Sequence, residues 1–175
     1  HELPEIGAGE IRGGHQEQGI RAGTENVPGI AGFARAIDFI NPARARRMSV
    51  LRDYCIERIQ IKFPDIKING PLGDQRLPNN VHIAVPDLGS EYLLLELDRH
   101  GVAAGKGSAC TAHSVEPSHV LRAVGVRAPY LGGALRFSFG RATTKKDIDV
   151  ALDTLDASLS TLRNRYGIKA RTLMK

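Results

Sequence analysis

Two short segments in which apolar residues occupy every second position constrain the fold of this chain more than any other feature of its sequence. Their apolar members are Val81, Ile83 and Val85 in the first segment and Leu135, Phe137 and Phe139 in the second. A period of two places successive side chains on opposite faces of a strand. Each segment therefore predicts a strand with one buried face, and Pro86 ends the first of them.

Helical spacing of apolar residues dominates the rest of the chain. It predicts helices over residues 27–40, 42–63, 90–101 and 117–124, and a last helix that starts at Thr144. Residues 66–68 are predicted as a further short strand. The length of 175 residues suits one domain with a core. Together these elements predict an α+β fold in which a short sheet is covered by helices.

Local signals refine three of these helices. Asp147 follows Thr144 at the spacing of a capping box, and Ser90 is predicted to cap the third helix. Cys55 lies on the apolar stripe of the second helix and is expected to pack in the core. Four arginines of that helix are predicted to form its solvated side. They are Arg44, Arg46, Arg47 and Arg52.

Residues 1–26 are rich in glycine and lack apolar periodicity, so we predict an extended loop there. A polar loop of this length in a compact domain is usually functional or a linker. Thr24 lies just before the helix that starts at Val27, and helix starts attract phosphate groups.

Composition excludes several classes of function. The net charge is +5, but the 24 lysines and arginines are spread over several segments, so we expect no nucleic-acid partner. This modest excess suits a phosphorylated or carboxylated small molecule, or an acidic protein. No apolar run reaches the roughly 18 residues of a membrane span. The two cysteines cannot form a disulfide framework, and we expect a cytoplasmic protein.

The first residues of the chain bear on whether it carries a signal peptide and whether it is a complete protein. His1 is neither a methionine nor part of a charged and then apolar leader. We therefore expect no signal peptide and expect the chain to be a piece of a longer protein.

Cys110 lies in a stretch of small residues, at about 103–116, that predicts a flexible loop. Most free cysteines are small buried hydrophobic residues, and that remains one interpretation. The other is a reactive thiolate, which a nearby positive charge favours. Lys106 could supply that charge from four residues upstream.

Other chemical sites are less well supported by the sequence. A phosphate-binding loop needs four residues between its first glycine and Gly-Lys, and only three follow Gly101. No cysteine or histidine spacing matches a zinc site, so no metal site is predicted. A protease-like pair of Cys110 and His113 is conceivable. Arg136 is the only cation on its strand and either faces solvent or binds a carboxylate with its planar fork.

Four stretches, taken in order, resemble the cysteine desulfurases, pyridoxal-phosphate enzymes that take sulfur from free cysteine for iron–sulfur clusters and other products. They are residues 13–26 with the following Val27-Pro28, Leu77 to Val81, Gly107 to Cys110, and Leu135 to Arg141 followed by Thr143-Thr144. Their order and spacing agree with the carboxyl-terminal portion of that family. The resemblance implies the small carboxyl-terminal domain of a fold type I, class V aminotransferase-like enzyme. The Gly-Ser-Ala-Cys form is similar to the group with a longer cysteine loop.

The resemblance implies roles for three residues. Cys110 would be the catalytic nucleophile that attacks the sulfur of bound L-cysteine, leaving a persulfide on itself and alanine as product. Arg136 would bind the substrate carboxylate. Thr24 would bind the phosphate of pyridoxal phosphate in the neighbouring subunit of a homodimer, so residues 1–26 would belong to the cofactor domain or dimer interface and residues 27–175 to the small domain. A sulfur-acceptor or scaffold protein would be a further partner.

The chain also departs from the family. The lysine that binds pyridoxal phosphate stands in a His-Lys motif upstream of the first stretch, and none of the seven lysines has that context. We therefore expect the full-length parent to be the enzyme and the chain alone to be inactive. Lys106 replaces a small hydroxyl residue, and we hypothesise that it favours the Cys110 thiolate. A stand-alone persulfide carrier or redox module without a cofactor is the alternative.

Overall fold

A computed structural model describes residues 11, 13–106 and 118–170 of the chain. It divides into two compact units, with the boundary between Asn41 and Pro42. The boundary that the family resemblance implies, between residues 26 and 27, separates family domains rather than these compact units, and it stays a prediction.

The first unit contains a short 3₁₀ turn, Gln16–Gly19, and helix α1, Val27–Ile37. The helix starts as the sequence predicts, because the side chain of Asn26 accepts a hydrogen bond from the backbone N–H of Gly29 at 3.0 Å. The large apolar side chains of α1 are exposed. They are Val27, Ile30, Phe33 and Ile37.

The second unit contains four strands and four α-helices among the described residues, with a short 3₁₀ turn at Gly73–Gln75. The strands are β1 (Lys67–Ile68), β2 (Asn80–Ala84), β3 (Gly105–Lys106) and β4 (Ala134–Ser138). The helices are α2 (Pro42–Lys62), α3 (Ser90–Arg99), α4 (His119–Ala123) and α5 (Lys145–Tyr166). The strands form one antiparallel sheet in the order β1-β2-β4-β3. The predicted α+β fold, a short sheet with helices, is confirmed.

One face of the sheet forms the main core. Val81 and Ile83 of β2 and Leu135 of β4 are fully buried there. They pack against α2, α3 and α5, whose apolar stripes follow the helical period that the sequence predicts. The helical residues of this core include Ile59, Leu93, Leu97, Leu152, Leu155 and Leu159.

The opposite face of the sheet carries both a small apolar cluster and polar side chains. Leu121 of α4, Val126 and Ala134 form the cluster. His82 and Arg136 are half-buried on the same face, because they alternate with the core residues of β2 and β4. The face that carries His82 and Arg136 is thus the one that α2, α3 and α5 leave uncovered.

Helix α5 starts and ends at residues that the physics of helix termini favours. The capping box of Thr144 and Asp147 is present, which confirms that prediction. The hydrogen bonds from Thr144 lower the pKa of the Asp147 carboxyl. Gly167 ends the helix with φ at 65°, in the left-handed region that glycine tolerates best.

Three local predictions are wrong. Ser90 is the first residue of α3, and its cap position is Gly89. The first part of the predicted cysteine loop forms strand β3 rather than loop. Arg52 is 2% exposed and donates to the backbone oxygens of Arg76 and Leu77, so it is not on the solvated side of α2.

No helix within residues 11, 13–106 and 118–170 is both long and apolar enough to cross a membrane.

Gly133, directly before β4, lies closer to another backbone segment than any other described glycine. A Cβ atom there would lie 2.0 Å from the backbone oxygen of Val85, far inside van der Waals contact. We expect Gly133→Ala to destabilise the fold by about 2 kcal/mol or more, because the backbone of β2 or β4 would have to move. The measurement is the midpoint of thermal unfolding.

Gly140, after the other end of β4, provides the matched control. A Cβ atom there would meet nothing within 4 Å. Gly140→Ala should change stability by at most about 0.5 kcal/mol. Equal unfolding midpoints for the two variants would contradict the close approach at Gly133.

Candidate functional site

Arg136 is at the centre of the candidate site, in the middle of β4. Its neighbour on β2 is His82 and its neighbour on β3 is Gly105. Side chains of directly opposed residues in an antiparallel pair project from the same face, with Cβ atoms about 5 Å apart. The register therefore places three residues in a row across the sheet. Arg136 lies in the middle, with the imidazole of His82 on one side and Gly105, which has no side chain, on the other.

Gly105 leaves space for the guanidinium. A Cβ atom at Gly105 would lie 3.3 Å from Nη2 and 3.5 Å from Nε of Arg136. The 3.3 Å distance is tighter than most Cβ contacts, so a larger residue would require the guanidinium to shift by a few tenths of an ångström. A glycine here lets Arg136 lie flat against β3.

Arg136 differs from two other arginines of the second unit, Arg52 and Arg76, in its hydrogen bonds. Arg52 donates to the carboxylate of Asp53 and to two backbone oxygens. Arg76 donates to the backbone oxygens of Pro71, Asn80 and Asn69. Arg136, although half-buried, has no hydrogen bond or ion pair with any of the residues that the structure describes. Its five N–H donors are available to an anion.

His82 is held beside Arg136 in its uncharged form. Burial, followed by the positive charges of Arg136 and Arg76, lowers the pKa of the imidazole. The side-chain nitrogen Nδ2 of Asn69, at the end of β1, lies 2.9 Å from Nδ1 of His82. The alternation around Val81 and Ile83 predicts only that His82 lies on the polar face of its strand. The register of β2 with β4, which brings His82 beside Arg136, cannot be read from a single sequence.

Lys106 of β3 is paired with a carboxylate. Its ammonium group donates a hydrogen bond to Glu91 of α3, and this contact lowers the pKa of the Glu91 carboxyl. The pair connects β3 to α3 just before residues 107–117, which lie outside the described residues. The positive charge of Lys106, which we hypothesise to favour the Cys110 thiolate, is therefore paired with the negative charge of Glu91.

Thr24 lies in the first unit, two residues before the cap of α1, and its side chain is exposed. The guanidinium of Arg21 donates to the backbone oxygens of Gly23 and Thr24, which fixes the turn before the helix. The Thr24 hydroxyl is a suitable donor for a phosphate at this position.

The predicted nucleophile Cys110 and its neighbour His113 lie outside the described residues. Cys55 is 2% exposed in the core, and burial raises the pKa of its thiol to about 12. Its predicted packing role agrees with this position. Within residues 11, 13–106 and 118–170, no cluster of three or more acidic, histidine or cysteine side chains could hold a metal ion.

Comparison with known proteins identifies a family. The sequence profile of the family Aminotransferase class-V matches residues 8–151. A protein of Dictyoglomus turgidum named cysteine desulfurase IscS is 42% identical over 156 residues, which cover 87% of this chain. A cysteine desulfurase of Nostoc sp. is 44% identical over 154 residues, which cover 86% of this chain.

Solved structures agree with the sequence comparison. A NifS-like protein from Rickettsia africae has a TM-score of 0.72 and 27% identity over 87% of this chain and 40% of its own. The chain spans about two fifths of the length of the curated relatives it matches, 39% for the Dictyoglomus protein and 38% for the Nostoc protein.

The burial of Cys55 predicts that its thiol is unreactive in the native protein. With a pKa of about 12, roughly one thiol in ten thousand would be ionised at pH 8, and the thiolate is the reactive form. We expect Cys55→Ala to leave the number of thiols that react with an aromatic disulfide reagent unchanged under native conditions. In denaturant the same variant should lose one thiol. A loss of one reactive thiol in the native protein would contradict the prediction.

Proposed function

The chain belongs to the class-V aminotransferase family, and we propose that it is part of a cysteine desulfurase that converts L-cysteine to L-alanine. The sulfur would be transferred as a persulfide on Cys110. The observation that carries the proposal is the half-buried Arg136, whose guanidinium has no acceptor among the residues that the structure describes. An amino-acid substrate brings the acceptor that this site lacks.

Arg136 binds the α-carboxylate of L-cysteine in this proposal. A guanidinium and a carboxylate form two parallel hydrogen bonds, which fix orientation as well as position. The flat position against Gly105 limits the rotation of the guanidinium. The arginine would thereby align the thiol end of the substrate for attack.

Pyridoxal phosphate is the cofactor that the proposed activity requires, and it supplies an electron sink for bond cleavage at the substrate. The exposed hydroxyl of Thr24, next to the start of α1, suits one of its phosphate oxygens. In the homodimer that we propose, Thr24 would serve the cofactor of the neighbouring subunit. We propose that the lysine that holds the cofactor is not among the 175 residues of this chain, so the chain alone would be inactive.

Cys110 performs the sulfur transfer in this proposal. Its thiolate attacks the sulfur of the bound substrate, an S–S bond forms and the C–S bond of the substrate breaks. The electron pair of the broken bond stays with the substrate carbon, which takes up a proton to become the methyl group of alanine. The persulfide then passes its outer sulfur to an acceptor or scaffold protein, for iron–sulfur cluster assembly or another pathway in the cytoplasm.

The first test separates the cofactor from the nucleophile in the full-length protein. We expect it to be yellow with pyridoxal phosphate and to release sulfide from L-cysteine in the presence of a reductant. Cys110→Ala should keep the absorbance of the bound cofactor and lose sulfide release. A well-folded parent that stays colourless would favour the stand-alone persulfide carrier, and sulfide release by Cys110→Ala would remove Cys110 from the mechanism.

The second test concerns the carboxylate. We expect Arg136→Gln to raise KM for L-cysteine by about 100-fold, because a charge-assisted bidentate contact is lost. Arg136→Lys should recover only part of this, since an ammonium group lacks the planar fork. Arg141→Gln removes an exposed arginine just beyond the same strand and serves as the control. Equal KM values for the Arg136 and Arg141 variants would contradict the assignment.

A further inference from the structure

We infer that His82 is a second binding residue for the anion at Arg136, donating a hydrogen bond from its Nε2 atom, and that Asn69 positions the imidazole for this role. The inference rests on the proposed function for the identity of the anion, the α-carboxylate of the substrate. Its geometric part rests on contacts within the described sheet.

The order of the strands determines where the two ring nitrogens of His82 point. Asn69 belongs to the end of β1, on one side of β2, and Arg136 belongs to β4, on the other side. Nδ1 of the imidazole faces Asn69. Because the two nitrogens of an imidazole point away from each other, Nε2 faces the side of the sheet on which Arg136 lies.

The contact with Asn69 also determines which nitrogen carries the proton. The side-chain nitrogen of asparagine can only donate hydrogen bonds, so Nδ1 of His82 accepts. A neutral imidazole has one acceptor and one donor, and the proton must then be on Nε2. The hydrogen bond from Asn69 thus selects the tautomer of His82, as a hydrogen bond to one ring nitrogen generally does.

The surroundings of His82 keep the ring uncharged. The charged groups that face it are Arg136 from β4 and Arg76 from the segment before β2, and both are cations. Ser118, Val120 and Leu121, at the start of α4, line the crevice on its remaining side and carry no charge. A proton added to Nδ1 would also have to displace the hydrogen bond from Asn69.

Two donors therefore lie on directly opposed positions of neighbouring strands, without an acceptor among the described residues. A guanidinium has no acceptor atom, and Nε2–H of the neutral ring is a donor. Neither group donates to any acceptor among the residues that the structure describes, since the imidazole accepts in its contact with Asn69. Donors that are partly removed from solvent are normally hydrogen-bonded, to the protein, to a ligand or to water. A carboxylate, with two oxygens and about four lone pairs, fits between them and satisfies both.

Gly105 of β3 is the third residue in the row with His82 and Arg136. It offers no side chain that could compete for the anion or cover it. The row thus has side-chain donors on β4 and β2 and no side chain at its position on β3. One oxygen of the carboxylate can accept from Arg136 while the other accepts from both groups.

The test uses the full-length protein and three variants. His82→Phe keeps a planar ring and removes the donor, whereas the amide nitrogen of His82→Gln can replace Nε2–H. We expect His82→Phe to raise KM for L-cysteine and the inhibition constant of L-alanine by about tenfold, with kcat changed by less than about twofold. His82→Gln should remain within about threefold of the wild type. His100→Phe, at an exposed histidine after α3, is the control for loss of an imidazole.

Nitrogen-15 NMR of the histidine rings tests the geometry without turnover. We expect the proton of His82 on Nε2, and we expect L-alanine to shift this resonance in the wild type and not in Arg136→Gln. A proton on Nδ1, or equal KM values for His82→Phe and His100→Phe, would overturn the inference. A wild type that binds L-alanine with the expected shift but does not turn over L-cysteine would overturn the proposed function and leave His82 as an anion-binding residue.

Discussion

The antiparallel pairing of β2 with β4 is the interaction on which the rest of the second unit depends. Its register places Val81 opposite Phe137 and Ile83 opposite Leu135, and their burial holds α2, α3 and α5 on one face. The same register places His82 opposite Arg136 on the other face. A shift of one residue would send the apolar set to the opposite face. Core formation therefore also fixes the functional groups.

The arginines of this unit show how the environment gives one residue type different roles. Arg52 is almost completely buried, and its acceptors are a carboxylate and the backbone of the segment that leads into β2. Arg76 is satisfied by backbone oxygens alone, and burial lowers its pKa. Both are structural cations whose donors are used within the fold. Arg136 has the same chemistry without an acceptor among the described residues, and that difference supports the proposal that it binds an anion.

The sequence predicts the elements better than their contacts. The alternation around Ile83 and Leu135 identifies both long strands, and the capping box at Thr144 identifies the start of α5. Strand β3 has two residues, too few for a periodic signal. The burial of Arg52 depends on a backbone segment more than 20 residues away. His82 and Gly105 become neighbours of Arg136 only through the register, which long-range packing decides.

A neutral second donor has a physical advantage over a second cation at this position. Two unit charges about 5 Å apart repel by roughly 3 kcal/mol at an effective dielectric constant of about 20. A lysine or arginine at position 82 would face that repulsion from Arg136 and from Arg76 whenever the anion is absent. The imidazole, deprotonated by burial and by the same two charges, adds a hydrogen bond without adding charge. The positive charges of Arg136 and Arg76, which would attract an anion, thus also help to keep the imidazole of His82 uncharged.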